Sequence, residues 1–105
     1  MAPGSRSALQ MRLDEIAGLL EGVSRHAGDG DVRYEREGIP FAVVTGERAA
    51  FRLTPDIARA ALRTPDVKPS DRGPGWVELV PGHLDVFTVD RAVSWFESAA
   101  RHAGD

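Results

Sequence analysis

The chain contains no cysteine among its 105 residues. This absence excludes disulfide bonds, thiolate catalysis and zinc sites built on cysteine ligands. No apolar run approaches the ~20 residues that a helix needs to cross a bilayer. Residues 1–6 also lack the apolar core of a signal peptide. We therefore expect a cytoplasmic protein with no membrane partner.

The sequence also lacks an excess of positive charge. Thirteen Lys and Arg residues stand against sixteen Asp and Glu residues, which gives a formal net charge of −3. Phosphate neutralisation supplies most of the affinity of general nucleic-acid binders. The balance therefore disfavours nucleic-acid binding unless the cationic side chains cluster on one face. Lys68 is the only lysine, and such Arg-, Ala- and Gly-rich usage is typical of a GC-rich bacterial genome.

No group of residues has the spacing of a catalytic or metal site. The three histidines, His26, His83 and His102, form no paired-ligand motif. The glycines of Gly73-Pro74-Gly75 precede a predicted strand, whereas a phosphate-binding loop precedes a helix, where N–H groups converge on the anion. They are interpreted as a turn that lets the chain approach the sheet closely. The sequence therefore predicts no enzyme, no metal and no cofactor.

Two amphipathic helices are predicted near the ends of the chain. Ser7 is a suitable N-cap for the first helix, which is expected to end near Ala27 because Gly28 and Gly30 follow. Thr88 is the expected N-cap of the last helix. Trp95 on that helix is expected at the edge of the core or in a dimer contact. The apolar positions recur at helical spacing, at Leu9, Leu13, Ile16, Leu20 and Val23 in the first helix and at Val89, Ala92, Val93, Phe96, Ala99 and Ala100 in the last.

Short extended segments occupy the middle of the chain. Thr54-Pro55-Asp56 is a strong start for a short helix, and a long loop is expected over residues 65–75. The short connections predict antiparallel pairing. The fold class is therefore α+β, with a four-stranded antiparallel sheet, two long helices on one face and a short helix between strands 3 and 4. We expect a disordered tail at 1–6 and one domain at 7–105. The predicted strands cover residues 32–37, 40–45, 49–53 and 76–80.

The uncovered face of this sheet holds the candidate binding residues. If Phe51 and Val77 face the helices, strand alternation directs Arg52 and Trp76 to the other side. An Arg and a Trp there could stack on a base or hold an acidic peptide. Alternatively, Trp76 packs at the rim of the core and Arg52 pairs with a cross-strand acid. The other candidate binding residues are Arg48, Lys68 and Arg72.

Several segments from Tyr34 onward resemble the MmcQ/YjbR family of small bacterial proteins. The resemblance implies a CyaY-like or double-wing α+β architecture, and it implies DNA binding, the function usually assigned to the family. The chain differs in having Ile39-Pro40 where the family often has a Lys, which weakens a phosphate contact at that turn. The matching segments are Gly38-Ile39-Pro40-Phe41-Ala42, Phe51-Arg52-Leu53-Thr54-Pro55-Asp56, Gly73-Pro74-Gly75-Trp76-Val77 and Leu84-Asp85 before the helix with Trp95-Phe96.

Three function classes remain open at this point. The first is a non-catalytic DNA-binding domain, which the resemblance favours and the net charge disfavours. The second is a module that binds a protein or small ligand through the open sheet face and the loop at 65–75. The third is an enzyme, for which the sequence offers no assignable residues.

Overall fold

The computed structural model describes residues 7–104, which form three helices and six strands. The tail expected at residues 1–6 lies outside this range. Within it, no helix is long and apolar enough to cross a membrane. The elements are α1 (Ala8–Leu19), β1 (Val23–Ala27), β2 (Val32–Arg36), β3 (Ile39–Thr45), β4 (Arg48–Arg52), α2 (Pro55–Ala61), β5 (Val67–Pro69), β6 (Trp76–Leu79) and α3 (Val86–Arg101).

All six strands join one antiparallel sheet in the order β1-β2-β3-β4-β6-β5. The β2–β3 turn is formed by Glu37 and Gly38, whose φ angles of 52° and 84° are those of a type I′ hairpin turn. Gly46 also has a positive φ, of 61°, in the β3–β4 turn. The predicted α+β class and the antiparallel pairing are confirmed, but the predicted strand number of four is wrong.

The first additional strand is β1, which replaces the last part of the predicted first helix. The helix ends at Leu19, and Gly22 follows with a φ of 78°, a left-handed conformation that glycine adopts readily. The chain then runs antiparallel to β2, with Val23 opposite Arg36 and Ala27 opposite Val32. A helix continuing to Ala27 would have left the edge of β2 unpaired, so tertiary pairing outweighs the helical apolar spacing.

The second additional strand is β5, which lies within the predicted loop over residues 65–75. Val67, Lys68 and Pro69 pair with Leu79, Glu78 and Val77 of β6. Pro65 before this strand and Pro69 at its end disfavour a strand in the sequence, since proline cannot donate a ladder hydrogen bond. Proline is nevertheless tolerated on edge strands, and β5 is an edge strand.

The last helix begins earlier than predicted, because Asp85 rather than Thr88 is its N-cap. Asp85 Oδ1 accepts hydrogen bonds from the Thr88 backbone N–H at 2.8 Å and from the Thr88 hydroxyl at 2.9 Å. These bonds stabilise the carboxylate and lower the pKa of Asp85. The other two predicted helix starts are confirmed: Ser7 accepts from the Gln10 N–H at 3.0 Å, and Pro55 follows Thr54 at the start of α2.

Helices α1 and α3 pack on one face of the sheet and enclose the core with it. The Phe96 ring of α3 lies edge-on to the rings of Tyr34 at 4.9 Å and Phe41 at 5.2 Å between centroids. A bulge in the β2–β3 register allows the consecutive residues Phe41 and Ala42 both to be buried. Trp95 is partly buried beside Phe51, at the edge of the core as predicted. Leu9, Leu13, Ile16, Phe51, Val77, Leu79, Ala92 and Phe96 are buried, whereas Leu20, Val23 and Val93 are partly buried.

Gly75 lets two backbone segments approach each other closely, because it has no side chain. Its carbonyl accepts the Leu53 N–H at 2.9 Å, and a Cβ at this position would lie 2.9 Å from the Leu53 carbonyl oxygen. The φ of Gly75 is 81°. The interpretation of Gly73-Pro74-Gly75 as a turn that approaches the sheet closely is therefore confirmed.

We predict that Gly75→Ala destabilises the protein by about 1–3 kcal/mol, because a non-glycine residue is strained at positive φ and its methyl group would contact a backbone oxygen. Gly82→Ala is the matched control, since Gly82 has an ordinary φ and open space around it. Urea unfolding of both variants measures the difference. Equal stabilities for the two variants would contradict this explanation.

Tyr34 provides a second measurable constraint on the packing of α1. Its hydroxyl donates to Asp14 Oδ1 at 2.5 Å, and Arg25 Nε donates to the same oxygen at 2.9 Å. Burial, together with this hydrogen bond to Asp14, raises the pKa of Tyr34 above its ordinary value of 10.0. The arrangement links α1 to β2 and to the newly found strand β1.

We predict that Tyr34→Phe lowers the free energy of unfolding by roughly 1.5–3 kcal/mol, the usual cost of losing a hydrogen bond to a charged group. Because the pKa of Tyr34 is raised in the folded state, its contribution is complete below pH 10 and is lost as the pH rises further. Unfolding titrations between neutral pH and alkaline pH should therefore show a steeper alkaline loss for the wild type than for Tyr34→Phe. Tyr34 is the only tyrosine, so phenolate absorbance at an ordinary pKa in the folded protein would refute the prediction.

Candidate functional site

Within residues 7–104, one face of the sheet is covered by neither of the two long helices, and strand alternation determines which side chains it presents. Phe51 and Val77 belong to the core on the helix side, so their neighbours along each strand point the other way. We call this surface the open face. Its strand positions are Ser24, His26, Arg33, Glu35, Val43, Thr45, Arg48, Ala50, Arg52, Lys68, Trp76 and Glu78.

Two of the predicted site residues, Arg52 and Trp76, lie directly opposite each other on β4 and β6. Both are half-buried. Trp76 is not part of the core cluster, so its ring lies on the open face rather than among the helix-side residues. Arg52 also borders a surface depression of about 310 Å³ lined by Pro55, Pro74 and other residues at this end of the sheet.

Arg72 is placed over the Trp76 ring by the short loop between β5 and β6. The guanidinium carbon lies 5.9 Å from the ring centroid, within the range of a cation–π contact. The loop is held at both ends, because the Ser70 N–H donates to the Trp76 carbonyl at 3.0 Å and the Trp76 N–H donates to Gly73 at 3.2 Å. Arg72 itself is exposed.

Arg48 and Lys68, the remaining predicted residues, flank Glu78 on the open face. Arg48 Nη1 lies 3.9 Å from Glu78 Oε2, and Lys68 Nζ lies 3.9 Å from Glu78 Oε1. The cationic side chains are 49% and 61% exposed, whereas that of Glu78 is 24% exposed. One carboxylate thus serves two exposed cations at long range, and such pairs contribute little stability.

Sequence reasoning missed the polar end of the open face on β1 and β2. Arg33 Nε lies 2.8 Å from Glu35 Oε2, and His26 Nε2 lies 3.3 Å from Glu35 Oε1. Burial of Val32 and Tyr34 shows the alternation that directs Arg33 outward, a signal present in the sequence. His26 had no such signal, because its segment was predicted to be helical.

Small apolar residues form the middle of the open face. Val43 and Ala50 lie opposite each other on β3 and β4 and are only 4% and 5% exposed, although no helix covers this side. This centre is therefore apolar and shielded from water, and the charged residues of the open face occupy strand positions around it.

Positive charge is concentrated on the open face although the whole chain is acidic. Its strand positions carry Arg33, Arg48, Arg52 and Lys68 against Glu35 and Glu78, and Arg72 adds a further cation over Trp76. The two long helices show the opposite balance. They carry Arg12, Arg91 and Arg101 against Asp14, Glu15, Asp90 and Glu97.

A second Arg-lined cavity lies on the helix side of the sheet and has a structural explanation. Arg36 Nη1 donates to the Ala100 carbonyl at 3.0 Å and so caps the C-terminus of α3, where cations are favourable. The cavity of about 250 Å³ beside it is lined by Glu21 and Glu97 as well as by Arg36 and Arg101. These carboxylates balance the arginines, so the cavity lacks the cationic excess of the open face.

No three His, Asp or Glu side chains within residues 7–104 are grouped in a way that could hold a metal ion. No protein-family model matches the chain, and no curated protein matches it. The resemblance to the MmcQ/YjbR family therefore stays a prediction, and function has to be argued from the open face.

We predict that iodide quenches Trp76 fluorescence more strongly than caesium does, because the open-face cations concentrate anions near the ring. The measurement uses Trp95→Phe, in which Trp76 is the only tryptophan. Adding Arg72→Ala should lower the ratio of iodide to caesium quenching by roughly twofold or more. Arg12→Ala on α1 is the control and should leave the ratio unchanged. A ratio that Arg72→Ala does not alter would contradict the assigned electrostatics.

Proposed function

We propose that this chain is a non-catalytic, cytoplasmic DNA-binding domain of the MmcQ/YjbR type, and that it binds through the open face. The observation that carries the proposal is the set of five cationic side chains on the open face, of which Arg52 and Arg72 lie beside the half-buried Trp76. Phosphates attract such a surface regardless of the sign of the net charge, since exposed charges beyond about 8–10 Å are largely screened at physiological salt. The acidic residues of the helix layer therefore weaken binding only slightly.

The geometry also favours a binding role over a catalytic one. The pKa of Tyr34 is raised, but its hydroxyl donates to Asp14 under α1. Its side chain is also fully buried, which keeps a substrate away from the hydroxyl. The open-face cations are exposed or half-buried, and Arg48 and Lys68 lie 3.9 Å from their shared partner Glu78, which suits reversible contact with a charged partner.

We predict that duplex or single-stranded DNA binds at ~50 mM salt and is released as salt rises, with a log–log slope of about −0.7 to −0.9 per phosphate contact. Arg48→Ala and Lys68→Ala should each reduce the magnitude of the slope by roughly 0.7–0.9. Glu78→Gln should strengthen binding, because it removes the carboxylate between these two cations. Fluorescence anisotropy with a labelled oligonucleotide measures all four proteins.

Arg12→Ala is the matched control for this experiment. It removes one positive charge from the exposed surface of α1 and should leave the slope unchanged. Absence of DNA binding at ~50 mM salt, or equal losses in Arg12→Ala and Arg48→Ala, would overturn the proposal. If polyglutamate displaces the labelled DNA only at a higher concentration than an unlabelled oligonucleotide requires, the result supports the proposal. Polyglutamate binding without DNA binding would instead favour the protein-interaction module.

A further inference from the structure

We infer that the nucleic acid held by the open face is a single strand, with one base stacked on Trp76. This inference rests on the proposed function and specifies its substrate. It follows from three features of the described residues: the shape of the cationic surface, the charge of the protruding elements and the position of the aromatic ring.

The cationic surface lies on the flat of a sheet and not on an element that could enter a groove. Readout of duplex DNA in the major groove requires a helix or a two-stranded ribbon to enter it. The long helices carry more carboxylates than arginines on their segments, as described above. They also pack on the opposite side of the sheet from the cationic cluster, so neither helix can bring that cluster into a groove.

The hairpin tips are equally unsuited to a duplex. The β2–β3 turn presents Glu37 and the β3–β4 turn presents Glu47, and both residues are exposed. If either β-hairpin entered a groove with its turn first, the phosphates on both sides of the groove would repel the carboxylate at the turn. The protruding parts of the sheet thus oppose duplex binding, whereas its flat face attracts a polyanion.

The arrangement on the flat face matches what a single strand requires. Single-strand-binding surfaces combine cations along the backbone path with an aromatic ring on which a base stacks. From β2 to β5 the open face crosses four strand spacings, or roughly 19 Å at ~4.8 Å each. Arg33 lies near one end of this path and Lys68 at the other, with Arg48 and Arg52 between them on β4.

Trp76 supplies the stacking position. In the unbound chain the Arg72 guanidinium covers its ring at 5.9 Å, and a planar cation is a natural substitute for a base on an aromatic face. On binding, a base takes this place and the exposed Arg72 side chain turns to a neighbouring phosphate. Gly73 beside the ring, at a φ of 135°, leaves the approach to the indole free of a side chain.

The test compares a labelled oligothymidylate of roughly 12 nucleotides, within the usual site sizes of such domains, with a duplex of equal length at the same salt. We expect the single strand to bind at least about tenfold more tightly and to quench Trp76 emission in the Trp95→Phe protein. Trp76→Ala should weaken single-strand binding by roughly 5- to 150-fold, whereas Trp76→Phe, which keeps an aromatic ring, should retain most of it. Thermal unfolding of each variant verifies that the domain is folded.

The outcomes separate this inference from the proposed function. Duplex binding that equals or exceeds single-strand binding, with the salt slope still dependent on Arg48 and Lys68, would overturn the inference and leave DNA binding intact. Single-strand binding that Trp76→Ala does not weaken, with no quenching, would likewise overturn the stacking role. No binding of either oligonucleotide would overturn the proposed function itself.

Discussion

The packing of Phe96 against Tyr34 and Phe41 determines which side of the sheet is covered. Edge-on aromatic contacts of this kind bury large areas in a defined geometry, and here they attach α3 to β2 and β3. Tyr34 in turn donates to Asp14 and so attaches α1 to the same side. Once both helices lie there, strand alternation directs the outward residues of β2, β4, β5 and β6 to the side that neither α1 nor α3 covers.

This one-sided packing explains how an acidic chain can present a cationic surface. Arg33, Arg48, Arg52 and Lys68 are interleaved with acidic residues in the sequence, and the middle of the chain is nearly neutral when it is counted along its length. Alternate residues of a strand face opposite sides of the sheet, whatever their neighbours in the sequence are. The cations at outward positions therefore lie together on one face, whereas acids such as Glu37 and Glu47 lie in the turns. The net charge of the chain is therefore a poor guide to the binding partner when helices cover only one face of the sheet.

The parts of the fold that depend on local signals could be predicted from sequence. Glycine and proline punctuation located β2, β3, β4, α2 and β6, and alternation about Phe51 and Val77 located Arg52 and Trp76. The parts that depend on distant pairing could not. Val23 to Ala27 continues a helical apolar spacing, and its strand conformation is explained by the edge of β2 that it covers. Asp85 and Thr88, three residues later, are equally suitable N-cap residue types, and only the geometry shows that Asp85 accepts from Thr88.

The unpredicted strand β5 matters most for the candidate site. A loop running freely from residue 65 to 75 would leave Arg72 without a defined position and Lys68 without a defined neighbour. Pairing of Lys68 with Glu78 fixes one end of the segment, and the hydrogen bonds of Ser70 and Gly73 to Trp76 fix the other. What remains between them is short, so the backbone of Arg72 is held beside Trp76, and in the unbound chain its guanidinium lies over the indole. The edge strand β5 thus shortens the loop, places Arg72 over the Trp76 ring and places Lys68 beside Glu78. The open face thereby gains a stacking position on β6, opposite Arg52.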